Sequence, residues 1–204
     1  MKDAKYYAIK CFRDEANAIL DLIPMLEDDA DDNFTKAIDL IFNCTGKLVV
    51  TGVGKSGHVG RKIAATMASL GTPSFFVNPL DAYHGDLGMI AQGDVVMAIS
   101  YSGDTDELLR FIPLLLERRI PVIGISGNPC SSLGKIATCL LNIKVDHEAD
   151  TLNLAPTSST TAAMAMGDAL ACALVHLRDF KREDFAVFHP GGNLGKQLAA
   201  QSEK

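Results

Sequence analysis

The sequence predicts an α/β domain built as a three-layer sandwich, with a central parallel sheet of about five strands and helices on both faces. Three observations predict it. The chain has 204 residues, which fits the roughly 200–250 that one domain accommodates. After Gly46, short apolar runs alternate with stretches of helical spacing. The runs are apolar throughout, as strands are when helices cover both faces of a parallel sheet. The chain is therefore read as a single domain, 1–204, with N-terminal helices over about 2–42 packing on the α/β core.

In chain order, Ile9, Phe12, Ala16, Ile19, Leu20 and Ile23, then Phe34, Ala37, Ile38 and Ile41, recur at three and four, so two amphipathic helices are expected between Lys2 and Phe42. Pro24 and the acidic run Glu27–Asp32 separate them, and the run caps or precedes the second. Strands follow at Lys47–Thr51, Ser74–Val77, Val95–Ser100, Pro121–Ser126 and Leu140–Val145, with helices to Leu70 and to Arg119 after the first and third. A long helix opens at Pro156–Thr161 and runs through Ala162–Leu177, and a last one is expected from Asn193 to Ala200.

Composition narrows the function. A net charge of −6 disfavours nucleic acid as a partner, because a duplex demands a basic face. No apolar run reaches the ~18 residues of a membrane span, and the N-terminus lacks the apolar stretch of a secretory signal, so no membrane is expected and the cytoplasm is the default location. The five cysteines (Cys11, Cys44, Cys130, Cys139, Cys172) are scattered and odd in number, so they are read as reduced, mostly buried thiols, with neither a disulfide framework nor a zinc cluster.

In a parallel sheet of this kind, ligands sit beyond the carboxyl ends of the strands, where helix N-termini present unpaired N–H groups. The first loop with that placement is Gly52-Val53-Gly54-Lys55-Ser56-Gly57. It is not a P-loop, because the leading glycine position is Val49, inside a strand. It satisfies the dinucleotide glycine pattern, yet Phe76-Val77-Asn78 replaces the acidic residue that would hold the ribose. What remains is a glycine-lined backbone at Gly54, the Ser56 hydroxyl and the charge of Lys55, all suited to an anion. The second loop, Ser100-Tyr101-Ser102-Gly103-Asp104-Thr105, offers hydroxyls at Ser100, Ser102 and Thr105 around Gly103 at a helix start, a nest that fits a phosphate ester. The third, Pro156–Thr161, again gathers hydroxyls at a helix start. Glu107, Glu148, His84 and His189 lie in or beside loops of the same kind, whereas His58, His147 and His176 are read as structural.

Those segments, with Thr51–His58, Leu70–Pro73, His84–Gly88, Ser100–Glu107, Leu154–Thr161 and His189–Gly192, resemble the sugar-isomerase (SIS) domain family, and within it the arabinose 5-phosphate isomerases, over nearly the whole chain. The resemblance implies the SIS fold and reversible conversion of D-ribulose 5-phosphate to D-arabinose 5-phosphate, the entry to the sugar acid Kdo of lipopolysaccharide or capsules. It implies a homotetramer with active sites at subunit interfaces, a phosphosugar as the partner, no cofactor and no metal. By motif, Lys55, Glu107, Glu148 and His189 fall on catalytic positions, and Gly71, Thr72 and His84 on substrate-contacting ones. Three departures accompany it. Many relatives continue into paired CBS modules, so regulation through them is expected to be absent, and a downstream sugar-acid nucleotide becomes a candidate feedback ligand. Asn78 stands where relatives often carry a histidine, which removes a candidate metal ligand. Ala149-Asp150-Thr151 replaces a usual Ala-Cys-Pro and puts a charge beside the site.

Such a reaction moves a proton between C1 and C2 through an enediolate. Glu148 is the expected base and Lys55 the stabilising cation; His189 is the competing base or a proton shuttle, Glu107 an orienting group, and His84 a substrate contact or relay. Two rival readings stay open: an isomerase of another phosphosugar such as a hexulose 6-phosphate, and a non-catalytic SIS domain that senses a phosphosugar.

Overall fold

Strands that are apolar on both sides need cover on both sides, and the chain supplies it from two sets of helices. The structure, a computed structural model, describes residues 3–190. Five strands, β1 (Leu48–Gly52), β2 (Ser74–Val77), β3 (Val95–Ile99), β4 (Val122–Ser126) and β5 (Cys139–Asn142), form one parallel sheet in the order β2-β1-β3-β4-β5. Leu48 and Val50 of β1 and Val95, Met97 and Ile99 of β3 enter a core closed by α1 (Ala4–Leu20), α2 (Leu22–Glu27), α3 (Asn33–Phe42), α4 (Gly54–Ser69) and α8 (Ser158–Leu177). The alternate residues Val49, Val96 and Ala98 enter a second core under α5 (Pro79–Tyr83), α6 (Asp106–Glu117) and α7 (Ser132–Ile136). Each large apolar side chain so buried contributes about 2 kcal/mol. The three-layer sandwich expected from the sequence is the one observed.

Several elements differ in detail. The N-terminal region holds three helices, because the first breaks at Asp21 and Pro24 lies within α2. Pro24 is tolerated there because the first-turn N–H it lacks has no partner in a helix. From the acidic run, the Asp29 carboxylate accepts the Phe34 N–H at 3.0 Å and so caps α3. β5 stops at Asn142 instead of Val145, since the chain beyond it is held mostly by a side chain: the Tyr101 hydroxyl accepts the Val145 N–H at 3.2 Å and donates to its carbonyl at 3.4 Å. Only Cys139 is buried among the cysteines, and burial pushes its thiol up to about 11; Cys130, in the loop after β4, and Cys172, on α8, are exposed, contrary to expectation.

By length and composition α8 would span a bilayer, with a mean hydropathy of 1.3. Its apolar character has another use here, since Ala162, Ala163, Met166, Leu170 and Leu174 are buried in the core against α4. The helix expected from Asn193 to Ala200 lies outside the described residues, and α9 (Arg182–Phe188) precedes it.

Candidate functional site

With β1 and β3 adjacent, the chain leaves β1 toward one face through α4 and leaves β3 toward the other through α6, which opens a crevice at the carboxyl ends of the two strands. A cavity of about 550 Å³ fills it. Lys55 and Ser56 enter from the start of α4, Ser102 and Thr105 from the β3–α6 turn, Glu148 from the loop after β5, and Ser159 from the start of α8. A cleft of similar volume, about 540 Å³, lies at the amino ends between α3 and the strand starts, lined by Lys36, Asp39, Asp94 and Arg119. Size alone does not separate the two clefts; the convergence of hydroxyls and helix N-termini does.

The β3–α6 turn is built as a nest. Gly103 takes φ +72°, a left-handed angle, and a Cβ there would lie 2.0 Å from the Ser131 Oγ, so only glycine fits. The turn brings the Ser100 and Thr105 hydroxyls to 2.8 Å and those of Ser100 and Ser102 to 3.5 Å. Asp104 faces away from this cluster and accepts the Ser132 N–H at 3.0 Å; hydrogen bonds from Ser132 hold its carboxyl below the usual range. Thr105 is the N-cap residue of α6 but its side chain makes no capping bond, and Val53 at the start of α4 has none to give. Two helix N-termini thus leave N–H groups available beside the hydroxyls and Lys55, the arrangement that receives an anion.

Glu148 is fixed at the third helix start. One carboxylate oxygen accepts the Thr157 N–H at 2.7 Å, the Thr157 hydroxyl at 3.1 Å and the Ser159 N–H at 3.2 Å; the other accepts only the Ser159 hydroxyl. The carboxylate therefore caps α8 and keeps a lone pair on its less encumbered oxygen. Asp150, the added charge beside the site, is absorbed by its own loop, accepting the N–H groups of Leu152, Leu154 and Ala155 at 2.7–2.8 Å. Burial opposes its ionisation, but those backbone donors outweigh burial and lower its pKa. Asn78, the other departure, caps α5 by accepting the Leu80 N–H at 3.1 Å.

The remaining candidates are not gathered with these. Gly71 and Thr72 lie before β2, at the amino ends of the strands, the length of a five-residue strand, roughly 15 Å, from the carboxyl edge. There they close α4: the Thr72 N–H donates to the Met67 carbonyl at 2.8 Å and the Gly71 N–H to that of Ala68 at 3.3 Å, the double bond of a Schellman cap. His189 follows α9, stacked on Phe185 with ring centroids 3.9 Å apart, and the neighbouring Phe188 lines an amino-edge cleft with Gly71. His84 ends α5 beyond the edge strand β2, exposed and outside the cavity lining. Glu107 sits half-buried in the first turn of α6, also outside that lining.

Among the residues that line the cavity, sequence reasoning gave no functional role to Tyr101, Asn153 or His147. Tyr101 ties the nest to Val145, and its place inside the hydroxyl-rich turn was the available signal. Asn153 accepts the Glu148 N–H at 2.7 Å. His147, read as structural, lies between Asp146, at 3.0 Å, and Asp14 of α1, at 3.4 Å; bonds to Asp146 and then Asp14 raise its pKa.

Comparison with known proteins bears on this arrangement. The SIS domain family matches residues 41–173. Arabinose 5-phosphate isomerase KdsD of Salmonella typhi is 57% identical over 166 residues, covering 81% of this chain and 51% of the relative. KdsD of Pseudomonas aeruginosa is 51% identical over 189 residues, covering 93% of this chain and 57% of the relative. The chain thus spans about half the length of the curated relatives it matches. Among solved structures, an E. coli CFT073 protein in complex with arabinose 5-phosphate is 42% identical, with a TM-score of 0.86 over 93% of this chain and 98% of that one.

Proposed function

Because the chain belongs to the SIS domain family, we propose that it is an aldose–ketose isomerase that interconverts D-ribulose 5-phosphate and D-arabinose 5-phosphate, in the cytoplasm and on the route to Kdo. One observation carries the reading: a single cavity joins a hydroxyl nest with two open helix N-termini to a cation, Lys55, and an anchored carboxylate, Glu148. A pentose phosphate offers the matching groups, a dianion at one end and an enolisable carbonyl at the other. The similarity to arabinose 5-phosphate isomerases supports the same substrate.

The chemistry follows from the geometry. Phosphate bound at Ser100, Ser102 and Thr105, with Ser56 and the backbone at Gly54 and Gly103 beside it, fixes C1 and C2 by remote binding energy. Glu148 takes the proton from C2 of the aldose, the electron pair moves to the carbonyl oxygen, and the Lys55 charge stabilises the enediolate. Returning the proton to C1, with a proton exchanged between the two oxygens, gives the ketose. No net redox change occurs and no cofactor is consumed. Removing Lys55 is expected to cost on the order of 3 kcal/mol of transition-state stabilisation. Glu107 at the start of α6 orients the substrate or Lys55.

His189, Gly71 and Thr72 enter this scheme only from a second copy, since they sit at the opposite edge of their own chain. Self-association, as a homotetramer with shared sites, is therefore part of the proposal, and the exposed apolar side chains Tyr6, Phe12, Leu20 and Ile23 along α1 and α2 support it. D-Arabinose 5-phosphate incubated with the protein in deuterated water is expected to give D-ribulose 5-phosphate, with deuterium at C2 of the recovered aldose. Preferential turnover of a hexulose 6-phosphate would move the substrate class, and no turnover of any sugar phosphate would sink the enzyme reading.

A further inference from the structure

Glu148 is useful as a base only if its position is held independently of the helix it caps, and the loop that follows it contains the device. The residue sits in a turn that doubles back: Ala149 donates its N–H to the Thr157 hydroxyl at 2.7 Å, and Thr157 in turn donates to the Glu148 carboxylate. This closes the side-chain end of Glu148 against α8 but leaves its main-chain N–H to be satisfied elsewhere. The acceptor is the Asn153 side-chain oxygen, at 2.7 Å.

Asn153 is shaped for this task. Its φ of +54° is left-handed, a conformation in which asparagine is several-fold enriched among non-glycine residues. Its own N–H donates to the Asp150 carbonyl at 3.1 Å, and the Asp150 carboxylate gathers the N–H groups on either side of it, at Leu152, Leu154 and Ala155. Asp150 thus folds the loop, and the folded loop returns the Asn153 amide to the backbone five residues earlier. Asn153 also lines the cavity. With its oxygen committed to Glu148, its amide nitrogen carries only donors.

We propose that Asn153 is a positioning residue for Glu148: its side-chain oxygen fixes the main chain of the base while α8 fixes the carboxylate, and Asp150 holds Asn153 in the required left-handed turn. The inference rests on the isomerase reading, in which Glu148 does the proton transfer. A shift of about 1 Å in such a group costs on the order of 100-fold in rate, so a loss of this hydrogen bond should appear in kcat and leave the phosphate grip, and hence KM, nearly unchanged.

Two variants and two readouts test it on the full chain. Asn153→Gly keeps the left-handed angle and removes the acceptor; Asn153→Asp keeps both. For the isomerisation of D-arabinose 5-phosphate, Asn153→Gly is expected to lower kcat by about 10- to 100-fold with KM within a factor of about two, and Asn153→Asp to recover most of that loss. Amide hydrogen exchange read at Glu148 should accelerate in Asn153→Gly and stay slow in Asn153→Asp. Unchanged exchange at Glu148 in Asn153→Gly, a loss confined to KM, or equal losses in both variants would overturn the proposal. If the wild-type protein turns over no sugar phosphate, the isomerase reading fails by that result alone, and the exchange measurement still decides whether Asn153 fixes Glu148.

Discussion

The two ends of the same sheet use similar residues in opposite ways. At the carboxyl ends, Gly103 opens a turn so that the Ser100 and Thr105 hydroxyls meet at 2.8 Å, and the helix start behind them carries no side-chain cap. At the amino ends, Gly71 opens a turn so that Thr72 can complete the cap of α4, and the backbone donors of both residues are already paired. A left-handed glycine beside a hydroxyl therefore marks the proposed anion site at one edge and a finished helix terminus at the other. What separates them is strand polarity: in a parallel sheet the N-termini of the following helices all gather at the carboxyl edge, and the amino edge receives helix C-termini. At the starts of α4 and α6 polar donors are surplus, and at the end of α4 they are consumed.

The comparison is tested most severely by the residues that the proposed reaction needs from both edges. Glu148→Gln and His189→Asn are each expected to lower kcat by about 10²- to 10⁴-fold, the usual range for an acid–base group. If each site joins the carboxyl edge of one chain to the amino edge of another, dissociating and remixing the two variants should restore activity, to about a quarter of wild type for random pairing across a two-chain site. Mixtures no more active than either parent would mean that the edges do not meet, and His189 would drop out of the mechanism.

A gentler test uses the glycines. Gly103→Ala forces a Cβ to 2.0 Å from the Ser131 Oγ at φ +72°, and Gly71→Ala forces one to 2.6 Å from the Phe180 ring at φ +86°. Both should lose about 1–3 kcal/mol of stability, measured by denaturant unfolding. Only Gly103→Ala should also raise KM, because of the two turns only that one belongs to the proposed phosphate site. An equal rise in both would place Gly71 against substrate across an interface.

Much of the carboxyl edge was legible in advance because its signals are local. Strands buried on both faces read as continuous apolar runs, so the five strands fell within a few residues of their observed limits. Hydroxyls spaced i, i+2 and i+5 around Gly103 announce a nest from sequence alone. Which edge a residue occupies is a property of topology, and Gly71, Thr72 and His189 carry no local sign of it; a motif names the residue and is silent on the chain that supplies it. The short helices α5, α7 and α9 were likewise hidden, since five to seven residues hold too few turns to show a helical period. The Glu148–Asn153 contact was hidden for another reason: it depends on Asp150 folding its own loop, a set of backbone bonds that composition does not reveal.

The smallest expected effect concerns charge. The cavity rim is tied to α1 by an ionisable link, His147 held by Asp146 and Asp14, with Lys10 also bonded to Asp14. The amino edge is closed instead by the Arg178 guanidinium, which donates to the Thr72 hydroxyl and the Ile41 carbonyl, by the Asp94 carboxylate, which accepts the Lys47 and Ala91 N–H groups, and by Phe180 stacked near Phe188. Asp146 first and Asp14 second raise the His147 pKa above its ordinary 6.5, against an opposing effect of burial. A raised folded-state pKa means that the stabilisation is complete below 6.5 and is lost as pH climbs through the folded value. The His147 side chain is 41% exposed, so solvent screens the link and the loss should be slight. Hydrogen exchange along α1 should therefore quicken modestly, beyond the intrinsic pH dependence of exchange, as pH rises from 6.5, while exchange along α3 at the amino edge, which carries no histidine, follows the intrinsic dependence alone. His147→Asn should remove the excess in α1. An equal excess in both helices would deny that the rim alone is held by a group titrating in this range, and no excess in either would leave the rim held, like the amino edge, by packing and by bonds that keep their charge over it.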